Sequence, residues 1–323
     1  MKTWVSGHRV LVGVVAIVLL VLGGGGYVAW TAVQQPAVSQ NAPKPVAGDI
    51  MFIDVSGGQD RVTTRTPDGK RTTSALRCQR FYRAGGTSVC LRLAGPGPTY
   101  EAAVMASDNT VIKTISLPGI PSRARVSASG NIVSWTSFVT GDSYAVPGGF
   151  STRTGFFDVR TGEVTESIEH FEATVRNRPL KAADVNFWGI TVGADDNTFY
   201  ATLASAGLNW LVKGDLKAKT VQSVRQNAEC PSLSPDGTRV AYKKRPTLLD
   251  KWSLTVLDLR TNQETELPGT SGIDDQAAWI DDQTLAFGMA KNENKATLFF
   301  VPADASAPAR PEIDNAASPV SVK

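Results

Sequence analysis

Residues Cys230–Leu267 read CPSLSPDGTRVAYKKRPTLLDKWSLTVLDLRTNQETEL, and they parse as four short strands joined by turns. Pro231–Leu233 is the first strand. Ser234-Pro235-Asp236-Gly237 is a tight turn, because Pro fixes φ, Asp bonds to its own backbone and Gly takes the left-handed position. Arg239–Lys243, Ser253–Leu259 and Glu264–Leu267 follow as strands, with Thr261-Asn262 turning between the last two. Such runs, rich in β-branched and aromatic residues and bounded by turn formers, are the signature of antiparallel strands.

The same order recurs to either side. One copy runs Arg123–Ser129, Ile132–Val139, Thr154–Val159, Val164–Ser167, and another Val185–Val192, Phe199–Leu203, Asn209–Leu216, Val221–Val224. An early copy runs Leu76–Tyr82, Ser88–Leu93, Tyr100–Ala106, Val111–Ile115, and a late, shorter one Ala277–Ile280, Thr284–Gly288, Ala296–Pro302. An aspartate closes the third strand at Asp54, Asp108, Asp158, Asp215, Asp258 and Asp304, spaced by 54, 50, 57, 43 and 46 residues. That period suits four-stranded propeller blades of roughly 40–50 residues. These aspartates read as turn caps rather than catalytic groups.

One four-stranded sheet leaves its apolar faces open, and stacking around an axis buries them. Six third-strand landmarks stand against five leading hairpins. The N-terminal piece, Ile50–Val55 with Arg61–Thr64, supplies outer strands only, and a closing strand at Pro319–Val322 would complete its blade. The expected fold is all-β, a six-bladed β-propeller with five blades as the alternative, over residues 49–313, followed by a C-terminal tail at 314–323.

The string Cys230 to Gly237, continued by Thr238-Arg239-Val240-Ala241-Tyr242, resembles the repeat of TolB-type β-propellers, and Val256-Leu257-Asp258-Leu259-Arg260-Thr261 matches that repeat's third strand. The full motif stands in this one blade; Thr66-Pro67-Asp68-Gly69 has the turn in another context. Ser122–Val126, Phe150–Thr154 and Asp195–Leu203 look like the membrane-anchored TolB-like propellers of actinobacteria. The resemblance implies a propeller, a place in the cell envelope and, by analogy, a binding role.

Ahead of the repeats, Lys2 and Arg9 precede an apolar run from Val10 to Leu22, and no charge falls between Arg9 and Lys44. Residues 10–30 would span about 30 Å as a helix, one hydrocarbon core. Trp4 and Trp30 bracket the run as interfacial aromatics, and the basic end predicts a cytoplasmic N-terminus. The expectation is a cytoplasmic segment 1–9, a transmembrane signal-anchor 10–30 and a Pro-rich linker 31–48. A cleaved signal peptide is the alternative, although Tyr27 stands badly before a cut after Ala29. Both readings export the body and place it at the cell membrane on the extracytoplasmic side.

The chain has 323 residues with 33 basic and 30 acidic side chains. Lys2 and Arg9 are two of the basic ones and residues 1–30 hold no acid, so the rest carries 31 basic against 30 acidic. A nearly neutral body lacks the concentrated basic face of a nucleic-acid binder. Of three cysteines, Cys78 and Cys90 flank the turn at Ala84-Gly85-Gly86 and fold opposite one another, predicting a disulfide. Export permits oxidation. Cys230 reads as a buried free thiol.

Catalytic chemistry finds little material. His170 is the one histidine of the body, and Gly141-Asp142-Ser143-Tyr144-Ala145 lacks the last glycine of a nucleophile elbow. Asp195-Asp196, Asp274-Asp275 and Asp281-Asp282 are acidic pairs in turns, usually solvated, that leave a calcium site open. No cofactor is expected. Trp135, Trp188, Trp210, Trp252 and Trp279 lie in or beside strands and read mainly as packing between blades. The longest insertion in a blade, Thr140 to Gly149 with Asp142 and Tyr144, together with Arg123 and Arg125, is the expected ligand face. Lys243-Lys244-Arg245 is a second candidate, for anionic wall polymer or headgroups, against the plain reading of a solvated edge. The expected function is a non-catalytic scaffold for an envelope protein or peptide. A cell-wall glycan or polymer sensor is the alternative, and a metal-dependent propeller enzyme a third.

Overall fold

Short antiparallel strands, many of them turned back by glycine or an aspartate-capped loop, follow one another from Ile50 to Ser321. The computed structural model describes residues 14, 17–22, 44–95, 97–139, 151–247, 249–292 and 295–323. Residues 1–40 and 41–323 form two units. In the first, residue 14 and residues 17–22 are helical, and their apolar side chains are exposed. The rest of the expected span at 10–30 lies outside the described residues. No helix among the described residues is long and apolar enough to cross a membrane.

The second unit is a six-bladed β-propeller. Blade 1 begins with β1 (Ile50–Asp54), β2 (Arg61–Arg65) and β3 (Arg71–Arg77). Blade 2 holds β4 (Arg80–Ala84), β5 (Thr87–Leu93), β6 (Tyr100–Met105) and β7 (Val111–Leu117). Blade 3 holds β8 (Ile120–Val126), β9 (Ile132–Val139), β10 (Ser151–Asp158) and β11 (Val164–Thr165). A hairpin of β12 (Glu172–Val175) and β13 (Arg178–Leu180) then precedes blade 4, which is β14 (Asn186–Val192), β15 (Thr198–Ser205), β16 (Leu208–Asp215) and β17 (Thr220–Gln226). Blade 5 is β18 (Glu229–Leu233), β19 (Arg239–Lys244), β20 (Ser253–Asp258) and β21 (Glu264–Glu266). Blade 6 is β22 (Ala278–Trp279), β23 (Thr284–Asn292), β24 (Lys295–Pro302) and β25 (Arg310–Asp314), and β26 (Ala316–Ser321) returns to blade 1.

β26 pairs with β1 and becomes the innermost strand of blade 1. The ring therefore closes by a strand from the segment read as a C-terminal tail beyond the propeller. The expectation of a closing strand there holds, with a start three residues earlier than Pro319. Its consequence corrects another assignment. β1 is the second strand of its blade, so Asp54 does not close a third strand; β2 is the third, and Asp68 in Thr66-Pro67-Asp68-Gly69 takes the landmark position.

The landmark aspartates cap turns. Asp108 accepts the Thr110 N–H at 2.9 Å, Asp215 the Ala218 N–H at 2.8 Å and Asp258 the Thr261 N–H at 2.7 Å. These backbone hydrogen bonds hold their carboxyl groups below the usual carboxylate range.

Middle strands lie between two neighbouring blades, so both of their faces are covered. In β19, Val240, Ala241 and Tyr242 are consecutive and fully buried, a run no half-exposed sheet would carry. Trp135 covers the bare backbone of Gly155, where a Cβ would meet its ring at 2.5 Å. Blade 4 carries the thickest core, with Phe156, Phe171 and Phe199 meeting edge to face between blades 3 and 4. The hairpin β12–β13 extends blade 4 on its outside through a parallel pairing with β17.

Two further details depart from expectation. Leu76–Tyr82 is not one strand: β3 ends at Arg77, β4 starts at Arg80, and the chain crosses between blades at Cys78-Gln79. The Cys78–Cys90 disulfide is present with Cα atoms 5.3 Å apart, but Cys90 faces Phe81 in the β4–β5 ladder. The bridge therefore ties a blade crossover to a strand rather than two opposed strand residues.

Candidate functional site

The six innermost strands, β26, β4, β8, β14, β18 and β22, surround the propeller axis. Blades 3 and 6 stand opposite in a ring of six, so a bond between them spans the axis. Arg123 on β8 makes one, donating from Nη2 to the Asp274 carbonyl at 3.0 Å. Arg125, two residues on and on the same face, donates to the Ala277 carbonyl at 2.9 Å. Gln276 answers from blade 6, its Nε2 donating to the Ile190 carbonyl at 3.2 Å and the Pro231 carbonyl at 2.6 Å. One polar layer thus joins blades 3, 4, 5 and 6.

Arg80 on β4 adds a third guanidinium, donating from Nε to the Ser122 carbonyl at 2.6 Å. Arg123 Nη1 donates to that same carbonyl at 2.8 Å. Asp275 lies 3.6 Å from Arg123 Nε. Burial opposes its negative charge, but Arg123 and Arg80 outweigh that and hold its carboxyl below the usual range. Burial also opposes the charge of Arg123; Cys230, which is buried and free, and Asp275 reverse the effect and keep the guanidinium protonated. For Arg80 and Arg125 burial prevails, and repulsion from Arg123 adds to it.

Lys243 approaches the layer from β19. It is 3% exposed and sits 3.5 Å from Glu229 and 3.4 Å from Asp274. Strand alternation sends the next side chain outward, so Lys244 pairs with Glu264 at 2.6 Å on the outer strand. Arg245 lies over the Trp252 ring at 4.3 Å. The basic run is therefore no single solvated edge: Lys243 and Arg245 share the Trp252 ring, and Lys244 takes the other face. Arg123, Arg125 and Lys243 come together, while Lys244 lies apart from them. Asp142 and Tyr144 lie outside the described residues, although the strand ends that carry their loop, Val139 and Ser151, pair at the end of blade 3 where β8 begins.

On the other side of the polar layer, where the inner strands end, the axis opens into a cavity of about 360 Å³. Tyr82, Val126, Leu233 and Trp279 contribute apolar and aromatic wall, and Arg83, Asp236 and Lys323 bring charge to it. Trp279 is held by its Nε1–H on the Ser232 carbonyl at 2.9 Å, with Arg239 over its ring. Pro45 also lines the cavity, so the chain leading into β1 passes its mouth.

Sequence reasoning missed Arg80, Gln276 and Tyr82, because nothing local distinguishes them from other residues of an inner strand or crossover. The signal available was positional: each sits at or beside an inner strand, two residues from another axial side chain. His170 is exposed between blades. Among the described residues no group of three or more His, Cys, Asp or Glu is placed to hold a metal ion. The acidic pairs serve other ends: Asp196 accepts from Ser129 and Asn131 across the blade 3–4 boundary, and Asp281 caps a turn at Gln283 and Thr284.

No protein-family model matches the sequence, and no curated protein matches it. Solved structures share its fold. TolB from Acinetobacter baumannii superposes with a TM-score of 0.62 at 15% identity, covering 85% of this chain and 67% of that one. A chain of a nidogen/laminin complex gives a TM-score of 0.55 at 8% identity, covering 84% of this chain and 97% of that one. A putative TolB from Agrobacterium tumefaciens gives 0.49 at 10% identity, covering 82% and 87%. The architecture is TolB-like.

Proposed function

We propose that the chain is a membrane-anchored, extracytoplasmic propeller acting as a non-catalytic scaffold that binds a protein or peptide of the cell envelope in its axial cavity. The cavity carries the reading: about 360 Å³, on the axis, its wall mixing Tyr82, Val126, Leu233 and Trp279 with polar groups such as Thr191, Ser234 and Asp236. A concave site in which fixed polar groups stand beside aromatic and aliphatic wall suits a peptide, which offers both. The carboxylates beside the axis are engaged, Asp275 with Arg123 and Glu229 with Lys243 and Asn209, which leaves them poorly placed as general bases. The apolar run 10–22 behind Lys2 and Arg9 supports anchoring and export. The TolB-like fold of the body is consistent with a binding role.

A glycan or wall-polymer sensor is the second reading, favoured by the presence of Tyr82 and Trp279 in the cavity wall, since such rings also stack on sugars. Photo-crosslinking separates the two. A crosslinking residue at Ala128, exposed on the cavity rim, should capture one envelope protein in native cells, while the same residue at Val111 on an outer edge should not. Capture of wall polymer alone at Ala128 would overturn the scaffold reading in favour of the sensor.

A further inference from the structure

The polar layer beneath the cavity holds more positive charge than the fold neutralises. Tyr82, which walls the cavity, carries the Arg125 guanidinium on its ring at 4.6 Å. Val126, Thr191 and Ser232 line the cavity, and their chain neighbours Arg125, Ile190 and Pro231 belong to the layer. The layer therefore lies directly behind the cavity wall, with the Tyr82 ring touching both.

Arg80, Arg123 and Arg125 spend their described hydrogen bonds on Ser122 Oγ and the carbonyls of Gln79, Ser122, Ala124, Asp274, Gln276 and Ala277. Carbonyls and a hydroxyl satisfy donors without cancelling charge. Asp275 is the carboxylate set among the three guanidinium groups. Lys243 lies beside Glu229 and Asp274, and Asp274 also acts on Arg80 and Arg123, so the four cations face three carboxylates. Asp60 acts on Arg80 more weakly than Asp275 does and also faces Arg77. Among the described residues, three buried atoms of the layer, Arg123 Nε, Arg125 Nε and Gln276 Oε1, have no hydrogen-bond partner, although Arg123 Nε has Asp275 at 3.6 Å as its counter-charge. Buried polar atoms are rarely left this way.

We infer that the Arg80–Arg123–Arg125 layer behind the wall of the axial cavity receives a carboxylate of the bound peptide, an inference that rests on the scaffold reading above. A guanidinium group matches a carboxylate in geometry and charge, and the resulting bond is about twice as strong as a neutral one. Asp275, Asp274 and Glu229 stand against the three guanidinium groups and Lys243, and one further carboxylate balances that set. A phosphate would set two negative charges beside Asp275. The carboxylate reaches Arg125 past the edge of the Tyr82 ring, through one water, and it arrives either as the peptide's C-terminus or as an acidic side chain.

Calorimetry on the full chain in a non-ionic detergent tests this with four probes at matched ionic strength. They are acetyl-triglycine with a free C-terminus, the same peptide amidated, an amidated tripeptide carrying one aspartate, and glucuronate. Saturable binding of a carboxylate peptide, with none of the amidated triglycine, is expected, and the preferred acid identifies the source. Arg125→Gln should weaken that binding about tenfold or more. Asp275→Asn, which removes the internal competitor, should tighten it about tenfold. The gain from Asp275→Asn keeps the test decisive if Arg125→Gln fails to fold. Equal binding of acid and amide, or no tightening in Asp275→Asn, overturns the inference and leaves the scaffold reading standing if Ala128 crosslinks a protein. Binding of glucuronate but neither peptide acid overturns both.

Discussion

Arg80 and Arg123, on neighbouring inner strands, donate to a single acceptor, the Ser122 carbonyl, at 2.6 and 2.8 Å. Two like charges are held together by one backbone oxygen, and Asp275 from the opposite blade lies 3.6 Å from the second of them. Truncating Arg123 would break the bond across the axis and take from Asp275 its nearest counter-charge, leaving Arg80 and Arg125. Arg123→Ala should therefore cost about 3 kcal/mol in urea unfolding. Pairing it with Asp275→Asn should return part of that loss, because the weakened ion pair goes too. Additive costs in the double variant would show that the two residues do not act as a pair.

Cys78 lies in the crossover between blades 1 and 2, and Cys90 lies in the second strand of blade 2. The bridge closes a segment with a sequence separation of 12. In the chain-entropy account, a loop of that order contributes about 3 kcal/mol by restricting the unfolded chain. Reductant should lower the stability of the wild type by that amount and leave Cys78→Ser/Cys90→Ser unchanged. Cys230→Ala should keep the full response to reductant, since Cys230 is free and buried. A reductant effect that survives in the double serine variant would assign it elsewhere.

Blade 5 was legible almost to the residue, because Ser234–Gly237 and the strand alternation around it follow local rules. Blade 1 was not, because its inner strand lies about 265 residues from its partner and only ring closure brings Ala316–Ser321 beside β1. The same reason hid the site. Arg123 and Arg125 stand out on one strand, but Asp274 to Ala277 reach them only through the curvature of the whole ring. Lys243, Lys244 and Arg245 read as one basic run until strand alternation places the first inward and the second outward. The disulfide was legible from the nearness of its cysteines in sequence, while the strand break at Cys78-Gln79 left no local mark.

Closure itself can be tested at Val320, which is 1% exposed in the core shared by β26 and blades 1 and 2. Val320→Ala removes two methyl groups and leaves a small void, so about 2 kcal/mol of stability should go. A chain ending at Asn315 loses β26 entirely and bares the pairing edge of β1. It should lose the single cooperative transition by circular dichroism, because blades 6 and 1 can no longer lean on one another. A truncated chain that melts as sharply as the wild type would show that the ring does not depend on this strand.

Glu169 supplies a pH dependence. It lies between β11 and β12, where its carboxylate accepts from Ser167 Oγ and from the Thr154 N–H at 3.2 Å. Burial nevertheless pushes its pKa up to about 7 from 4.5, the two hydrogen bonds opposing it only in part. Between those values the folded chain keeps a proton that the unfolded chain has released. The sign follows: the contribution of Glu169 to stability is fully present below about pH 4.5, is lost as pH rises through about 7, and is level above that. The full span is about 3 kcal/mol. Glu169→Gln holds the same acceptor and cannot ionise, so the difference between wild type and variant should grow in the variant's favour from pH 5 to 8. Urea unfolding of both across that range checks it, and parallel curves would mean that Glu169 keeps an ordinary pKa in the folded chain.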